Sequence, residues 1–203
     1  MEKGLIELVK RLVLRGLKIV FETNSGVWYQ KDLSKNCNEI DPRIPVTIDF
    51  FSADKTIKWL QEVDIPWVYN QQEIDIGMKE GHYFPHVKHG DSIIGYIKVG
   101  RNNVYIADYK KSIGFPRDVA FIYDTYILPE YRNLNIASFA INEVSKFLKN
   151  QGFKKVMCHI PSWNIPSIRA YTKVGFEDLK KIRWIKIFGV KLFTTEPTKL
   201  FSY

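Results

Sequence analysis

The chain of 203 residues is long enough for one domain, and its 45% hydrophobic and 26% charged residues are ordinary for a globular protein. No apolar run approaches the roughly 20 residues of a transmembrane helix, the N-terminus lacks a signal-peptide pattern, and two cysteines are too few for a disulfide scaffold, so we expect a cytoplasmic protein. The net charge of +8 is concentrated in residues 144–203, which hold 12 Lys/Arg and 3 Asp/Glu. This basic segment could bind a polyanion, either nucleic acid or a phosphorylated cofactor, or it could simply form a solvated basic surface.

Hydrophobic spacing predicts the first elements of the chain. Apolar residues at helical intervals predict a helix over Glu2–Leu14. Runs of β-branched and aromatic residues predict the strands Leu17–Glu22, Val27–Lys31 and Pro45–Phe51. Asn24-Ser25-Gly26 would form a turn between the first two strands, and Ser52 would cap a helix that starts near Ala53.

The rest of the chain alternates between strands and helices. The predicted strands are His82–Lys88, Ser92–Val99, Val119–Leu128 and Lys155–Ile160, and a last hairpin spans Ile182–Phe193 around Gly189. An amphipathic helix over Asn135–Asn150 ends at Gly152, and a short helix over Ile165–Val174 ends at Gly175. Strands before, between and after two helices predict a mixed α/β (α+β) fold.

The passage from the strand Val119–Leu128 into the amphipathic helix is a candidate anion site. Pro129 cannot donate a hydrogen bond to a central strand, so the strand must end or diverge there. The helix that follows presents backbone N–H groups without intrahelical partners at the positive end of its dipole, and such a site binds phosphate. A plain strand-to-helix turn is the alternative.

Two motifs favour the anion site. Residues 127–137 read Ile-Leu-Pro-Glu-Tyr-Arg-Asn-Leu-Asn-Ile-Ala, which resembles the signature Val-x-Pro-x-x-Arg-Gly-x-Gly-x-Gly/Ala of the GCN5-related N-acetyltransferase (GNAT) superfamily. Residues 164–176 read Asn-Ile-Pro-Ser-Ile-Arg-Ala-Tyr-Thr-Lys-Val-Gly-Phe, which resembles its second motif, Asn-x-x-Ser/Ala-x-x-x-Tyr-x-Lys-x-Gly-Phe. The motifs occur in the order typical of the superfamily, and the resemblance covers roughly residues 92–193.

The resemblance implies a mixed, mostly antiparallel sheet that is splayed at the strand before the cofactor-binding helix and flanked by helices. It implies an acyltransferase domain over residues 44–203, with residues 1–43 as a helix and hairpin extension packed on it. Acetyl-CoA would be the cosubstrate. The residues assigned to it are Ile127, Arg132, Asn133, Leu134, Asn135, Ile136, Ala137, Ser138, Asn164, Ser167 and Lys173.

Some of these assignments have a simpler alternative. Arg132 would add charge beside the phosphates, or it is an exposed arginine at a helix entry. Asn164 would contact the cofactor arm, or it only caps the helix that follows. Asn133 and Asn135 stand where the signature has glycine. If these positions require a positive φ, asparagine is the least costly replacement, at about 1–2 kcal/mol per residue, so we interpret the segment as a variant loop.

Tyr171 is the candidate catalytic acid, because the tyrosine at this position of the superfamily protonates the departing CoA thiolate. Transfer from a phenol to a thiolate is uphill by roughly 2 kcal/mol at ordinary pKa values, a small obstacle for a positioned acid. The alternative is a tyrosine packed in the core.

Asp124 is the candidate base for the attacking amine, or else a solvated or paired carboxylate. Alternation predicts Asp124 and Tyr126 on one strand face and Tyr123, Thr125 and Ile127 on the other.

Together these features predict an N-acetyltransferase in which a primary amine, small or peptidic, attacks acetyl-CoA directly in a ternary complex. Residues 44–100 hold 5 Lys/Arg against 8 Asp/Glu, which favours a cationic acceptor. The aromatic residues available to line its site are Trp59, Trp67, Tyr69 and Tyr83. The alternatives are a longer acyl group and a non-catalytic module that binds CoA or nucleic acid.

We expect neither a metal nor a membrane nor a nucleic acid as partner. His82 and His86 would be about 13 Å apart on a strand, too far for shared ligation of one ion. The apolar face of the N-terminal helix is more often packed on the domain or on a dimer partner than on a membrane, so a homodimer is compatible with the sequence.

Overall fold

The computed structural model describes residues 21–35, 39–50, 71–106, 109, 111–187 and 190–193. Several predictions lie outside the described residues: the helix over Glu2–Leu14, the helix from Ala53, the turn at Gly189, and the aromatic residues Trp59, Trp67 and Tyr69.

The described elements follow the predicted alternation and add to it. The strands are β1 (Phe21–Asp32), β2 (Thr47–Asp49), β3 (His86–His89), β4 (Ser92–Gly100), β5 (Asn103–Ile106), β6 (Lys111–Gly114), β7 (Val119–Ile127), β8 (Lys155–Pro161), β9 (Glu177–Ile187) and β10 (Val190–Phe193). The helices are α1 (Gln71–Glu80), α2 (Ile136–Asn150) and α3 (Ile165–Lys173). A 3₁₀ turn over Pro129–Tyr131 joins β7 to α2. Helix α1 and the strands β5 and β6 were not predicted from the sequence.

Eight of these strands form one sheet in the order β10-β9-β1-β8-β7-β4-β3-β2, and β5 and β6 form a separate hairpin. Among the described strands, β7 and β8 pair in parallel and the other neighbours pair antiparallel. Helix α2 is the crossover that a parallel pair requires. The prediction of a mixed, mostly antiparallel sheet flanked by helices is confirmed.

The predicted turn at Asn24-Ser25-Gly26 is wrong. Strand β1 runs through these residues and pairs with β8 on one side and β9 on the other. A Cβ atom at Gly26 would overlap the His159 imidazole of β8, so this glycine permits close packing within the sheet and does not mark a turn. The sheet therefore contains strands from both sides of the predicted domain boundary at residue 43.

The two faces of the sheet carry separate hydrophobic clusters. Neighbouring residues of β7, such as Phe121 and Ile122, belong to different clusters, as alternation along a strand requires. The helix-side cluster contains the apolar residues of α2, together with Ile97, Ile127 and Tyr171. The hairpin-side cluster contains Val104, Ile106 and Ile113 of β5 and β6, together with residues such as Trp28 and Trp184.

The parallel strands β7 and β8 separate toward their C-terminal ends. Their register pairs Val119–Ile122 with Lys155–Cys158, whereas β7 continues to Ile127 and β8 to Pro161. The end of β7 remains paired with β4 on its other edge, as far as Ile127 opposite Gly95. We call the space between the diverging ends the β7–β8 cleft. It lies where the splay was predicted.

Candidate functional site

The N-terminus of α2 lies beside the β7–β8 cleft. Its N-cap residue, Asn135, makes no side-chain hydrogen bond to the helix, and its first turn holds no acidic side chain. Because the first-turn N–H groups have no intrahelical acceptor, they form a positively polarised end that suits an anion.

Two asparagines in the loop before α2 adopt the left-handed conformation. The φ angle is 63° at Asn133 and 64° at Asn135. These are the positions at which the resembling signature has glycine, so the positive φ that the glycines indicated is present in this chain. Asparagine tolerates this region better than other non-glycine residues, which explains how the loop keeps its backbone path without glycine.

Asn135 also ties this loop to two other parts of the chain. Its Nδ2 donates to the carbonyl oxygen of Asp41 over 2.7 Å, and its Oδ1 accepts from Nζ of Lys173 over 2.8 Å. The backbone N–H of Arg43 donates to the Leu134 carbonyl over 2.9 Å. Sequence reasoning missed Asp41 and Arg43, because no local pattern signals a contact across more than ninety positions.

Arg132 folds back onto the end of β7. Its Nε donates to the Ile127 carbonyl over 3.1 Å, and its guanidinium carbon lies 5.5 Å from the centre of the Tyr126 ring. The Leu128 N–H donates to the Ile94 carbonyl of β4. Because the N–H groups of successive strand residues point to alternate edges, the Ile127 N–H points away from β4 and faces the cleft. Nε is one of five guanidinium donors, which leaves the others to reach an anion.

Tyr171 is buried in α3, with 5% of its surface exposed, and its hydroxyl oxygen lies 2.8 Å from Oγ1 of Thr125 on β7. Its ring meets Phe176 edge-on, with the ring centres 4.9 Å apart. Burial raises the pKa of the Tyr171 hydroxyl well above its ordinary value, the nearby Cys158 raises it further, and the hydrogen bond with Thr125 opposes the rise. The hydroxyl therefore keeps its proton at neutral pH.

Asp124 is a paired carboxylate, the alternative that the sequence left open beside a catalytic role. Its Oδ2 accepts a hydrogen bond from the Tyr96 hydroxyl over 2.7 Å and lies 3.4 Å from Nζ of Lys98. The Lys98 side chain is 2% exposed and that of Asp124 is 36% exposed, so a buried cation faces a partly solvated anion. The negative charge of Asp124 is a further, smaller cause of the raised pKa of Tyr171.

An irregularity in β7 changes which residues share a face. The register against β4 passes from Asp124 opposite Lys98 to Ile122 opposite Val99, so Tyr123 has no opposite residue. Tyr123 packs on the hairpin-side cluster and Ile127 on the helix-side cluster. The prediction that these two residues share a face is wrong, because a β-bulge adds a residue and shifts the alternation.

Three further assigned residues, Asn164, Ser167 and Ser138, help to hold α3 in place. Asn164 caps α3, with its side-chain oxygen accepting from the Ser167 N–H over 3.3 Å. The Ser138 hydroxyl donates to the Ala170 carbonyl over 3.3 Å and so links α2 to α3. A role for these residues in cofactor binding stays a prediction.

Two side chains singled out in the sequence lie elsewhere. Nδ1 of His82 lies 3.3 Å from the Tyr123 hydroxyl oxygen. Tyr83, expected on the acceptor side, packs edge-on against Phe147 in the helix-side cluster.

Within the described ranges, no group of three or more His, Cys, Asp or Glu residues is placed to hold a metal. None of the described helices combines the length and apolar character needed to cross a membrane.

Comparison with known proteins relates this site to a family. Residues 47–176 match the sequence model of the acetyltransferase (GNAT) family, a range that includes both motifs. The strands β1, β9 and β10, adjacent in the sheet, fall outside the match.

Solved structures share the fold at low sequence identity. A GCN5-related N-acetyltransferase from Sphaerobacter thermophilus aligns with a TM-score of 0.62 and 14% identity, over 90% of this chain and 59% of that chain. A Drosophila protein aligns with a TM-score of 0.57 and 11% identity, over 92% of this chain and 59% of that chain. The GCN5-related glucosamine N-acetyltransferase region of a fungal GH3 β-N-acetylglucosaminidase aligns with a TM-score of 0.55 and 13% identity, over 86% of this chain and 22% of that chain. The chain thus spans about three fifths of the first two structures and a smaller part of the third.

Proposed function

Because the chain belongs to the acetyltransferase (GNAT) family, we propose that it transfers an acetyl group from acetyl-CoA to a primary amine by direct attack in a ternary complex. Family membership confirms the resemblance predicted from the two motifs. The observation that most supports the proposed reaction is that the uncapped N-terminus of α2, the β7–β8 cleft and the Tyr171 hydroxyl all meet at the end of β7.

The residues beside the cleft suit the charge and the polar groups of CoA. The first-turn amides of α2 suit its pyrophosphate, and Arg132 and Lys173 supply positive charge on either side of the loop. The Ile127 N–H faces the cleft and would bind an amide of the pantetheine arm. These residues orient the thioester, and burial around Tyr171 limits the access of water.

Tyr171 would supply the proton for the departing thiolate. Its raised pKa opposes the transfer, but burial also raises the pKa of the Cys158 thiol well above its usual range. A thiolate formed in such surroundings is destabilised in the same way, so it accepts a proton more readily than in water. The two shifts therefore act in opposite directions on the free energy of the proton transfer.

Asp124 would hold the acceptor amine. Both of its contacts involve Oδ2, which leaves Oδ1 for the ammonium group of an acceptor. Partial exposure of Asp124 allows the acceptor or a water molecule to reach it, and the carboxylate then takes the proton that the amine must lose before attack.

The test is a screen for CoA release from acetyl-CoA with a panel of amines. Glucosamine belongs in it, because a GCN5-related glucosamine N-acetyltransferase region shares the fold, together with linear polyamines and peptides with a free N-terminus. Donors with longer acyl chains test the acyl specificity. We expect release that depends on both donor and amine. No CoA binding by calorimetry at millimolar concentration, together with no release, would contradict the proposal.

The rival function is a non-catalytic module that binds nucleic acid. The absence of the signature glycines favours such a module, and the positive φ of Asn133 and Asn135 weakens this argument, because the loop keeps the backbone conformation that glycine would adopt. Thermal melting distinguishes the two functions, because a ligand at 100 times its Kd stabilises a protein by about 2.7 kcal/mol. We expect acetyl-CoA to raise the Tm and an oligonucleotide to leave it unchanged.

A further inference from the structure

Thr125 contacts Tyr171 at the point where the cleft opens. It lies on β7 beyond Ile122, the last residue of β7 that pairs with β8, and its Oγ1 is 2.8 Å from the Tyr171 hydroxyl oxygen. Both partners are held firmly: a β-branched side chain has few χ1 rotamers, and the Tyr171 ring is buried against Phe176. The geometry of this hydrogen bond is therefore built into the fold.

Thr125 is a polar residue between apolar neighbours. On the same face of the sheet, Ile97 lies opposite it on β4 and Ile127 lies two residues further along β7, both in the helix-side cluster. Valine has nearly the same shape as threonine and would suit such an apolar row. Thr125 is half-buried, and the partner of its hydroxyl on this face is Tyr171.

The direction of the hydrogen bond decides whether Tyr171 can act as an acid. Either oxygen can be the donor. If Tyr171 donates, its proton is engaged by Thr125. If Thr125 donates, the phenolic proton stays available, and the Thr125 O–H stabilises the negative charge that remains on the Tyr171 oxygen after the proton has left.

We propose that Thr125 is a positioning residue: its hydroxyl donates to the Tyr171 oxygen and thereby directs the phenolic proton at the sulfur of the leaving CoA. This inference rests on the proposed function and deepens it. As the amine nitrogen bonds to the acetyl carbon, it releases its surplus proton to water, and the C–S bond breaks with its electron pair on sulfur. The phenolic proton then forms the S–H bond, its former electron pair stays on the Tyr171 oxygen, and water returns a proton before the next turnover.

Removal of the Thr125 hydroxyl tests the proposal. Thr125→Val keeps the shape, so the KM for acetyl-CoA should stay unchanged, while kcat should fall about 10- to 100-fold, the range for a lost hydrogen bond to a charged group. Thr125→Ser restores the donor and should recover most of the rate. Thr47→Val, an exposed threonine on the edge strand β2, is the matched control and should have no effect. Equal rates for Thr125→Val and the parent protein would overturn the proposal.

A double-mutant cycle separates positioning from a structural role. In a Tyr171→Phe background, Thr125→Val should cause no further loss of kcat, because the hydroxyl that it orients is already absent. If Thr125→Val lowers kcat by the same factor in both backgrounds, Thr125 acts independently of Tyr171 and the proposal fails.

A measurement without turnover keeps this inference distinct from the proposed function. Tyr171 is replaced by 3-fluorotyrosine, and ¹⁹F NMR follows the ionisation of its hydroxyl. Loss of the donor in Thr125→Val should move the titration to higher pH, and Thr125→Ser should move it back. Identical titrations would overturn the proposal. If no amine releases CoA and CoA does not bind, the proposed function fails, while this titration still decides whether Thr125 donates to Tyr171.

Discussion

Lys173 donates a hydrogen bond from Nζ to Oδ1 of Asn135 over 2.8 Å, and this contact joins the last turn of α3 to the N-terminus of α2. The same Asn135 amide donates to the Asp41 carbonyl over 2.7 Å. A glycine at this position could make neither contact. Among the described residues, Asn133 makes no comparable side-chain hydrogen bond, although its φ of 63° is nearly the same. The two asparagines of the loop are therefore not equivalent.

Single glycine substitutions should separate them. Asn133→Gly relieves the left-handed strain and loses no side-chain hydrogen bond to a described residue, so CoA should bind equally or more tightly. Asn135→Gly also releases Lys173 and the segment at Asp41, and its Kd for CoA should rise about tenfold, which corresponds to one or two net hydrogen bonds. Calorimetry with CoA measures both. Equal affinities for the two variants would show that the hydrogen bonds of Asn135 to Lys173 and Asp41 do not contribute to CoA binding.

The Lys98–Asp124 pair should respond asymmetrically to substitution. Asp124→Asn removes the carboxylate that faces a Lys98 side chain only 2% exposed, and we expect a loss of about 2–3 kcal/mol in the free energy of unfolding. Lys98→Met leaves Asp124 partly in solvent with its Tyr96 hydrogen bond, and should cost less than about 1 kcal/mol. Urea denaturation gives both values. The reverse order would show that the buried lysine does not depend on this carboxylate.

The Asp124→Asn variant also tests the acceptor site. With an amine identified by the screen, Asp124→Asn should raise the KM for the amine and lower kcat, because the carboxylate both holds the ammonium group and takes its proton. The KM for acetyl-CoA should change little. A normal kcat in Asp124→Asn would assign the proton transfer to another group.

The sequence predicted the elements around the site closely, because their signals are local. The helix expected over Asn135–Asn150 is Ile136–Asn150, and the strand expected over Val119–Leu128 is Val119–Ile127. An amphipathic stripe, a proline and a C-terminal glycine define these elements without reference to the rest of the chain.

The contacts that shape the site could not be predicted, because they depend on strand register. Thr125 and Tyr171 are 46 residues apart, and Asp124 meets Tyr96 across 28 residues through the pairing of β7 with β4. The bulge at Tyr123 alters that pairing, and neither glycine nor proline marks it in the sequence. Gly26 was misinterpreted for the same reason, since His159 belongs to a strand far along the chain.

Gly26 should not tolerate a side chain. In Gly26→Ala the new methyl group overlaps the His159 ring, which already packs against Trp28 and Tyr109. We expect a loss of about 1–3 kcal/mol in the free energy of unfolding, as for other overpacked cores. Gly114→Ala on β6 is the matched control, because the nearest atom to its added methyl, the Asn102 carbonyl oxygen, is 3.9 Å away. Equal stability of the two variants would contradict the close packing of β1 on β8.

The decisive residue for the proposed chemistry is Tyr171, and Tyr171→Phe removes its hydroxyl while the ring stays packed on Phe176. If the hydroxyl protonates the departing thiolate, kcat should fall on the order of 10²–10⁴-fold, as for a lost general acid. The KM for acetyl-CoA and the affinity for CoA should change little, because the lost interaction belongs to the transition state.

Since burial holds the pKa of Tyr171 well above its ordinary value, the parent protein should lose no activity through deprotonation of Tyr171 until the pH exceeds about 10.

Tyr29→Phe supplies the control for Tyr171→Phe. Tyr29 is buried in the same cluster, opposite Cys158 on the neighbouring strand, and burial raises its pKa as well. It differs from Tyr171 in lying on β1, on the edge of β8 away from the cleft. Its variant should keep kcat within about twofold, since it removes a buried hydroxyl without touching the acid. If both variants bind CoA normally and lose kcat equally, the loss reflects packing of the cluster, and Tyr171 is not the acid. If Tyr171→Phe alone keeps full activity, the proton reaches the thiolate from another donor.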